Sequence, residues 1–416
     1  MNQPSAGCDC STQQNLNSLD SVVSYLLEQV KPVSETESVS LHTALNRVLA
    51  EDLSSGVSVP PADNSAVDGY ALSADSLRAT RCLTISQRIP AGLSPEPLQK
   101  GTAARIFTGA SIPDGADCVV MQEHVELAPD GSRVEFPHDV SLHQNIRPMG
   151  QDIEAGQTIL HQGQVLSPQR LGLSASTGCA QVQVYRPLRV AYFSTGDELV
   201  EPGEPIQSGQ IYNSNRYLLR GLLRSLGFES IDLGVIPDDF EATKSALKEA
   251  SKQADAVIST GGASVGEEDY IQAAIKALGQ VGLWRVAIKP GKPFMFGQIG
   301  ETPIIGLPGN PGAVFVTFLA LARPFLLKAQ GLTQVMPQTV KLPLAFDIKK
   351  AGTRREFLRV RQDESGRLVR HPNQSSGMLS SASWAEGLAI IPEHEVPSIN
   401  SMVDFLSFSS LLSLND

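Results

Sequence analysis

The chain has 416 residues, of which 41% are hydrophobic and 19% charged, and its formal net charge is −11. These values are ordinary for a globular protein of about two to four domains, and the acidic balance argues against a nucleic-acid-binding surface, which needs clustered Lys and Arg. The five scattered cysteines fit a reducing compartment, no apolar run approaches membrane-spanning length, and residues 1–20 lack a signal peptide, so we expect a cytoplasmic protein without a membrane span.

The N-terminal part begins with a polar stretch, residues 1–17, that is expected to be disordered. Residues 20–30 then show a helical apolar period that stops at Lys31-Pro32. Residues 41–53 are predicted to form a second helix, which ends near a Ser-Ser-Gly sequence.

Residues 59–70 are rich in proline and contain an Asp-Gly pair, which predicts a constrained loop. Its acids, Asp63 and Asp68, are candidates for ligand contact or for Asx-turns that only fix the backbone. Residues 72–148 contain short β-type runs, such as 102–108 and 117–122, separated by Gly and Pro, which predicts a small β-domain. A helix is predicted at residues 167–176, with Gly178 as its stop.

From residue 188 onward apolar strands alternate with amphipathic helices, which predicts parallel strands joined by helical crossovers in a doubly wound α/β domain. The predicted strands are 188–194, 230–235, 256–259, 283–287 and 303–306, and the predicted helices are 215–226, 241–253, 271–278 and 313–330. After Met336 the sequence returns to β-type alternation, at 339–346 and 356–360, so a second small β-domain is expected.

Ligands of such sheets bind at the carboxyl ends of the strands. The loops predicted there are 194–198, 237–239, 260–269, 289–293 and 307–311, and all are rich in Gly, Pro, acid or Lys. Because all five fall on one edge of the sheet, they predict a single binding site.

The stretch from Asp255 to Tyr270 reads as a strand, a Gly/Ser-rich turn and the start of a helix. Free N–H groups at such a turn suit a phosphate. Its acids, Glu267, Glu268 and Asp269, would repel a bare phosphate, so a divalent cation or a proton transfer is also implied. The alternative is an ordinary turn whose acids cap a helix.

Lys289 and Lys292 are flanked by Pro290 and Pro293, which stiffen the backbone. Arg285, four residues before Lys289, is expected on the same strand and the same face. Together these cations could bind a diphosphate, although solvated lysines are the simpler interpretation. The nearby carboxylates need a bridging metal such as Mg²⁺, and they are Asp197, Glu198, Asp238, Asp239 and Asp269.

Six motifs together resemble the MoeA family of molybdopterin molybdenumtransferases. They lie at 63–70 (Asp-Asn-Ser-Ala-Val-Asp-Gly-Tyr), 107–110 (Phe-Thr-Gly-Ala), 193–199 (Phe-Ser-Thr-Gly-Asp-Glu-Leu), 261–270 (Gly-Gly-Ala-Ser-Val-Gly, then Asp-Tyr), 288–293 (Ile-Lys-Pro-Gly-Lys-Pro) and 306–311 (Gly-Leu-Pro-Gly-Asn-Pro). The resemblance runs in the same order from about residue 20 to the C-terminus.

The resemblance implies a homodimer of multi-domain chains, α/β plus β in class. The implied parts are a disordered tail (1–17), a helical and irregular domain made of two segments (18–53 and 150–185), an inserted β-domain (54–149), a doubly wound molybdopterin-binding α/β domain (186–335) and a C-terminal β-barrel-like domain (336–416).

The resemblance also implies the reaction: molybdate is inserted into adenylylated molybdopterin, with loss of AMP and with assistance from Mg²⁺. The implied catalytic residues are Asp68, Glu198, Asp238, Asp269 and Lys289, with Asp238 and Asp269 as metal ligands. The implied substrate-binding residues are Thr108, Thr195, Asp197, Gly261, Gly262, Ser264, Gly266, Arg285, Lys292, Pro308, Pro311, Arg355 and Ser376. Asp68 and Thr108 would reach the cleft from the partner subunit.

Two alternatives share parts of this architecture. One is the upstream adenylyltransferase, which would activate molybdopterin with ATP; the N-terminal segment carrying Asp68 argues against it. The other is a non-catalytic scaffold like the related protein gephyrin. If the chain is the molybdenum-inserting enzyme, its implied partners are the upstream adenylyltransferase and the molybdoenzymes that receive the product.

Overall fold

The computed structural model describes residues 16–261 and 270–414, apart from the side chains of residues 283 and 284. Helix α1 (Leu19–Glu28) begins after Ser18, whose hydroxyl accepts the N–H of Ser21, and its buried stripe includes Val22. This confirms the first predicted helix. Residues 1–15 of the expected disordered tail lie outside the described residues, but Asn17 already pairs with the chain near residue 286, so the expectation of disorder is wrong there.

The elements that follow form an inserted β-sheet flanked by two paired segments. In chain order they are β1 (Thr36–Ser40), β2 (Leu53–Ser54), β3 (Asn64–Ser65), β4 (Gly69–Leu72), β5 (Cys82–Ile89), β6 (Thr102–Ile106), β7 (Cys118–Met121), β8 (Glu126–Leu127), β9 (Arg133–Glu135), β10 (Ile146–Arg147), β11 (Thr158–Leu160), α2 (Pro168–Ser176) and β12 (Gln181–Tyr185). The six-stranded sheet has the order β7-β4-β6-β5-β9-β8, which confirms the small β-domain. The antiparallel pairs β1 with β12 and β2 with β11 join the segments on either side of it.

The predicted helix at residues 41–53 is wrong. After a short 3-10 turn the backbone is extended, and Val48 and Leu49 pair with Val165 and Val184, respectively. Neighbouring residues of an extended chain point to opposite sides, and these two side chains are buried in two different hydrophobic clusters. Burial on both sides therefore outweighs the helical propensity of this segment.

The second half of the chain contains the α/β sheet. Its elements are β13 (Arg189–Thr195), β14 (Leu199–Val200), β15 (Ile211–Tyr212), α3 (Ser214–Ser225), β16 (Glu229–Ile236), α4 (Phe240–Gln253), β17 (Ala256–Thr260), α5 (Tyr270–Leu278), β18 (Gln280–Trp284), β19 (Ile288–Lys289), β20 (Met295–Ile299), β21 (Thr302–Leu307), α6 (Pro311–Thr317) and α7 (Arg323–Ala329). The sheet order is β16-β13-β17-β21-β20-β18.

The first four strands of this order are parallel, as predicted. The last two pairings, of β20 with β21 and of β18 with β20, are antiparallel. The reversed strand is β20, which was not predicted, so the five predicted strands share one direction. The short turn at residues 300–301 joins β20 directly to β21, and a connection of that length permits only an antiparallel pair. The predicted strand at 283–287 lies earlier, as β18.

Helices α6 and α7 are continuous through a π-helical turn, Phe318–Ala322. The combined span Pro311–Ala329 is long and apolar enough to cross a membrane, contrary to the expectation that no segment would be. Because 89% of it is buried inside the protein, it is a core helix.

The C-terminal elements are β22 (Val340–Pro343), β23 (Arg355–Gln362), β24 (Leu368–Arg370), α8 (Leu379–Trp384), β25 (Gly387–Ile391), β26 (Met402–Ser407) and α9 (Phe408–Leu411). They form the second predicted β-sheet, in the order β19-β23-β25-β26-β22, with β24 on β23. The edge strand β19 comes from the α/β segment, so this sheet and the α/β sheet share one stretch of chain. The exact domain boundaries stay a prediction.

Candidate active site

A cleft of about 790 Å³ lies where β13, β17 and β21 end, next to the C-terminal sheet. Its volume is typical of a small-molecule site. Its lining comprises residues 195, 198–199, 211–215, 260–261, 289–293, 308–311, 313, 354 and 374–377. Four of the five predicted loops contribute to it.

Eight of the predicted site residues line this cleft: Thr195, Glu198, Gly261, Lys289, Lys292, Pro308, Pro311 and Ser376. Four others, Gly262, Ser264, Gly266 and Asp269, lie outside the described residues. The Gly/Ser-rich turn therefore meets the cleft at its first residue, Gly261, and its acids stay a prediction.

The loop after β13 depends on a glycine. Gly196 has a φ of +142°, and a Cβ there would lie 2.5 Å from the Glu198 carboxylate. Only glycine allows the chain to turn here with the carboxylate folded back over the loop. The result is one negative charge in the lining, next to Thr195.

The predicted Asp197 and Asp238 lie beside the cleft and not in its lining. The N–H of Asp197 donates to a carboxylate oxygen of Asp238 at 3.4 Å, and the N–H of Asp238 donates to Asp197 at 3.3 Å. Asp239, expected among the metal-bridged carboxylates, caps α4 by accepting the N–H of Ala242 at 2.8 Å. Within residues 16–261 and 270–414 no three His, Cys, Asp or Glu side chains cluster as metal ligands.

Two lysines and an arginine make part of the lining cationic. Lys289 forms an ion pair of 2.8 Å with Glu356 and keeps half of its side chain exposed. Arg354 donates to the carbonyl of Ile288 at 3.2 Å and also lines the cleft. With Lys292, these groups supply positive charge for an anionic ligand.

Arg285 does not belong to this group, and the prediction that it shares a strand face with Lys289 is wrong. Arg285 has a φ of +69° and lies between β18 and β19, where the chain leaves one sheet for the other. The change of sheet breaks the strand alternation on which the prediction depended, and Arg285 is not among the cleft residues.

The predicted role of Arg355 in the cleft is also contradicted. Its guanidinium pairs with Asp20 at 2.6 and 2.9 Å and with Glu393 at 3.3 Å. These carboxylates raise the pKa of Arg355, and the largest cause is the pair of hydrogen bonds that its guanidinium donates to Asp20. Arg355 therefore fastens α1 to the C-terminal sheet, away from the cleft lining.

The C-terminal sheet contributes the loop at residues 374–377 to the cleft. Of these four residues, the sequence analysis predicted only Ser376. Asn310 donates to the Ser376 hydroxyl at 3.2 Å across the cleft wall. The loop is held from behind by Arg359, which is 1% exposed and donates to the carbonyl of Ser375 and the hydroxyl of Ser381, both at 3.1 Å. Burial lowers the pKa of Arg359.

Asp68 and Thr108 lie together on the inserted sheet, outside the cleft lining of their own chain. Both the N–H and the hydroxyl of Thr108 donate to Asp68 at 2.8 Å. These bonds lower the pKa of Asp68, so it is ionised at neutral pH.

The sequence analysis missed the segment that contains β15 and the start of α3. Residues 211–215 all line the cleft, although no glycine or charged motif marks them. The only signal was the Asn-Ser-Asn sequence before a helical period, which is typical of a helix N-cap.

Three family models match the chain. They describe the MoeA N-terminal region, domains I and II, at residues 17–178; a probable molybdopterin binding domain at 191–328; and the MoeA C-terminal region, domain IV, at 341–401.

Two similar curated proteins are named molybdopterin molybdenumtransferase. The molybdopterin molybdenumtransferase of Haemophilus influenzae is 44% identical over 346 residues, covering 82% of this chain and 85% of the relative. The protein of that name from a Nostoc species is 36% identical over 348 residues, covering 81% of this chain and 79% of the relative. The crystal structure of a molybdopterin biosynthesis MoeA protein from Pyrococcus horikoshii OT3 superposes with a TM-score of 0.84 at 30% identity, covering 95% of this chain and all of that one.

Proposed function

Because the chain belongs to the MoeA family of molybdopterin molybdenumtransferases, and so is a transferase of molybdenum cofactor biosynthesis, we propose that it inserts molybdate into adenylylated molybdopterin with release of AMP. Molybdate and the adenylylated pterin are the two substrates, and the phosphoanhydride to AMP is the bond that breaks. We further propose that the reaction takes place in the cytoplasm.

The observation that carries the proposal is the mixed charge of one cleft. Lys289, Lys292 and Arg354 line it together with Glu198 and Ser376. Cations and amide donors favour the phosphates and the oxyanion, and a carboxylate beside them suits proton transfer or a hydrated cation. The adenylylated pterin supplies the phosphates, and molybdate is the oxyanion.

Mg²⁺ fits the residues beside the cleft. Asp197 and Asp238 are held together by reciprocal bonds, and Mg²⁺ takes one or two carboxylates plus phosphate oxygens and water. Asp238, with Asp269 from outside the described residues, would hold the ion, which would neutralise phosphate charge when bound. Lys289 and Lys292 would orient the phosphates whether or not the ion is bound.

The proposal includes a homodimer with a shared active site. Asp68, which is half-buried, and Thr108, which is exposed, are joined by two hydrogen bonds at the inserted sheet, and neither lines the cleft of its own chain. We propose that they enter the partner's cleft. Mixed dimers test this, with one chain carrying Asp68→Asn and the other Lys292→Met. One cleft of such a dimer would be intact, so activity should return to about half of wild type; inactive mixtures argue against sharing.

The function itself is tested by incubating the purified protein with adenylylated molybdopterin, molybdate and Mg²⁺. We expect AMP release and molybdenum bound to the pterin. Consumption of ATP with free molybdopterin would instead indicate an adenylyltransferase, and neither reaction would indicate a scaffold. Asp238→Asn and Asp269→Asn should fold normally and lose turnover; a fully active variant would remove that aspartate from the mechanism.

Proposed partners are the upstream adenylyltransferase, which makes the substrate, and the apo-molybdoenzymes that receive the product. Adenylylated molybdopterin is reactive, and direct transfer between active sites would protect it from water. Pull-down of the adenylyltransferase by this protein in the presence of the adenylylated pterin tests the first contact.

A further inference from the structure

One wall of the cleft carries no acidic or basic side chain. It is the segment 211–215 (Ile-Tyr-Asn-Ser-Asn), whose five residues all line the cleft. Its strand, β15, pairs with β14, and the wall is thereby attached to the loop after β13. The cationic lining, Lys289, Lys292 and Arg354, lies on other segments. The cleft is therefore divided into a neutral part and a charged part.

Two side-chain atoms of the neutral wall are buried without a hydrogen-bond partner. The Asn213 oxygen accepts from the Ser194 hydroxyl and from the N–H of Arg216, both at 3.2 Å, which fixes the amide orientation and leaves Nδ2 unpaired. Asn215 donates through Nδ2 to the carbonyl of Gly309 at 2.6 Å, which leaves Oδ1 unpaired. The two residues are only 1% and 9% exposed.

Buried polar atoms are normally paired, so this wall lacks a partner that supplies both kinds of group. Asn213 needs an acceptor and Asn215 needs a donor. A phosphate at neutral pH offers acceptors almost only, so it cannot satisfy Asn215. A heterocycle with a ring N–H next to a carbonyl offers both.

The third feature is an exposed apolar side chain beside the two amides. Ile211 lines the cleft with 55% of its surface exposed. Asn213, two residues further along the chain, lines the same cleft. An apolar surface next to amide groups is the composition expected of a site for a flat, neutral, polar-edged ring.

We infer that the wall formed by residues 211–215 binds the pterin ring: Ile211 contacts its face, and the Asn213 and Asn215 amides read its N–H and carbonyl edge. The phosphates then lie along Lys289 and Lys292. This inference rests on the proposed substrate and goes beyond it by assigning the ring and the phosphates to separate walls.

The test uses two probes that each carry half of the substrate: 6-hydroxymethylpterin, followed by its fluorescence, and inorganic pyrophosphate, followed by calorimetry. In the full-length protein, Ile211→Ala and Asn215→Ala should each weaken pterin binding about five- to tenfold. Pyrophosphate affinity should stay within about twofold. Lys292→Met should give the reverse pattern. Ile206→Ala, at an exposed isoleucine outside the cleft lining, is the matched control.

The inference is overturned if wild type shows no saturable pterin binding, if both wall variants bind the pterin as wild type does, or if they lose pyrophosphate instead. Ile211 is exposed, so its variant should fold even if Asn215→Ala does not. Neither probe requires turnover. A protein that binds both probes on separate walls but releases no AMP would contradict the proposed reaction and leave this assignment standing.

Discussion

Arg359→Met tests whether one buried guanidinium positions the C-terminal loop of the cleft. Arg359 donates to the carbonyl of Ser375, next to the cleft residue Ser376, and to the Ser381 hydroxyl. Gln374 bonds to the backbone N–H and carbonyl of Arg359 and not to its side chain, so these two contacts persist in the variant. The substitution therefore removes one attachment of the loop and leaves the strand that carries it.

The size of the effect follows from the lost bonds. A hydrogen bond from a charged donor contributes about 1.5–3 kcal/mol, and an unpaired buried carbonyl costs a similar amount. Part of this loss of stability is offset, because the variant no longer buries a charge that has no carboxylate partner, and burial disfavours the charged form of Arg359. We therefore expect the free energy of opening the loop to fall by about 1.5–2.5 kcal/mol. At about 1.4 kcal/mol per factor of ten, the loop would then open about 10- to 60-fold more often.

Hydrogen exchange of the peptide covering residues 371–378 measures this opening directly. Exchange should accelerate by that factor in this peptide, and exchange in β25 should stay unchanged. Arg361→Met is the control, because Arg361 lies on the same strand but is exposed and stacks on Trp384 at 4.5 Å. Wild-type exchange in Arg359→Met, or equal acceleration in both variants, would refute the positioning role.

Three further predictions concern the same half of the molecule. Gly291→Ala should weaken pyrophosphate binding at least about tenfold by calorimetry, because residue 291 has a φ of +110° and its Cβ would overlap α6; Gly300→Ala, also at positive φ but in open space, should cost only about 1–2 kcal/mol of stability. Glu356→Gln should raise pyrophosphate affinity about three- to tenfold, since it removes the carboxylate that competes for Lys289; an unchanged affinity would mean that this lysine does not meet phosphate. For Asp255, burial raises the pKa, but hydrogen bonds from neighbouring arginines outweigh it and lower the pKa below 3.8. Its stabilising contribution is thus complete above pH 3.8 and is lost as the pH falls through the folded-state pKa; Asp255→Asn should show a flatter acid loss in thermal melts, and identical profiles would contradict this.

The sequence predicted the α/β fold well because its signals are local. Strands and helices there alternate with clear periods, and the loops at the strand ends are recognisable because they are rich in Gly, Pro and charged residues. The failures share a cause, which is pairing between distant segments. The run at 41–53 has a helical period, yet Val48 and Leu49 pair with Val165 and Val184, which are more than a hundred residues away. Arg285 loses its predicted face because the chain changes sheets beside it.

The site was predictable where charge or glycine marked it and not where neutral side chains form it. Lys289, Lys292 and Glu198 follow strand ends and are found in the cleft as expected. Asn213 and Asn215 resemble ordinary helix-capping residues in a sequence, and the cap is indeed made. What no pattern reveals is that a cap can leave its second amide atom unpaired, because this depends on Ser194 and Gly309 from other elements.

The cationic wall derives its geometry from the junction of two sheets. Residues 288–289 form β19, which pairs in parallel with β23, matching Ile288 with Arg355 and Lys289 with Glu356. A few residues later the chain enters β20 of the α/β sheet. The loop at residues 289–293 is therefore fixed at both ends by different sheets, and Pro290 and Pro293 leave it little freedom between them. Since the lysine spacing depends on how the two sheets pack, substitutions in the β23 interface should change phosphate affinity without touching the ligand, whereas substitutions on the far strands of either sheet should not.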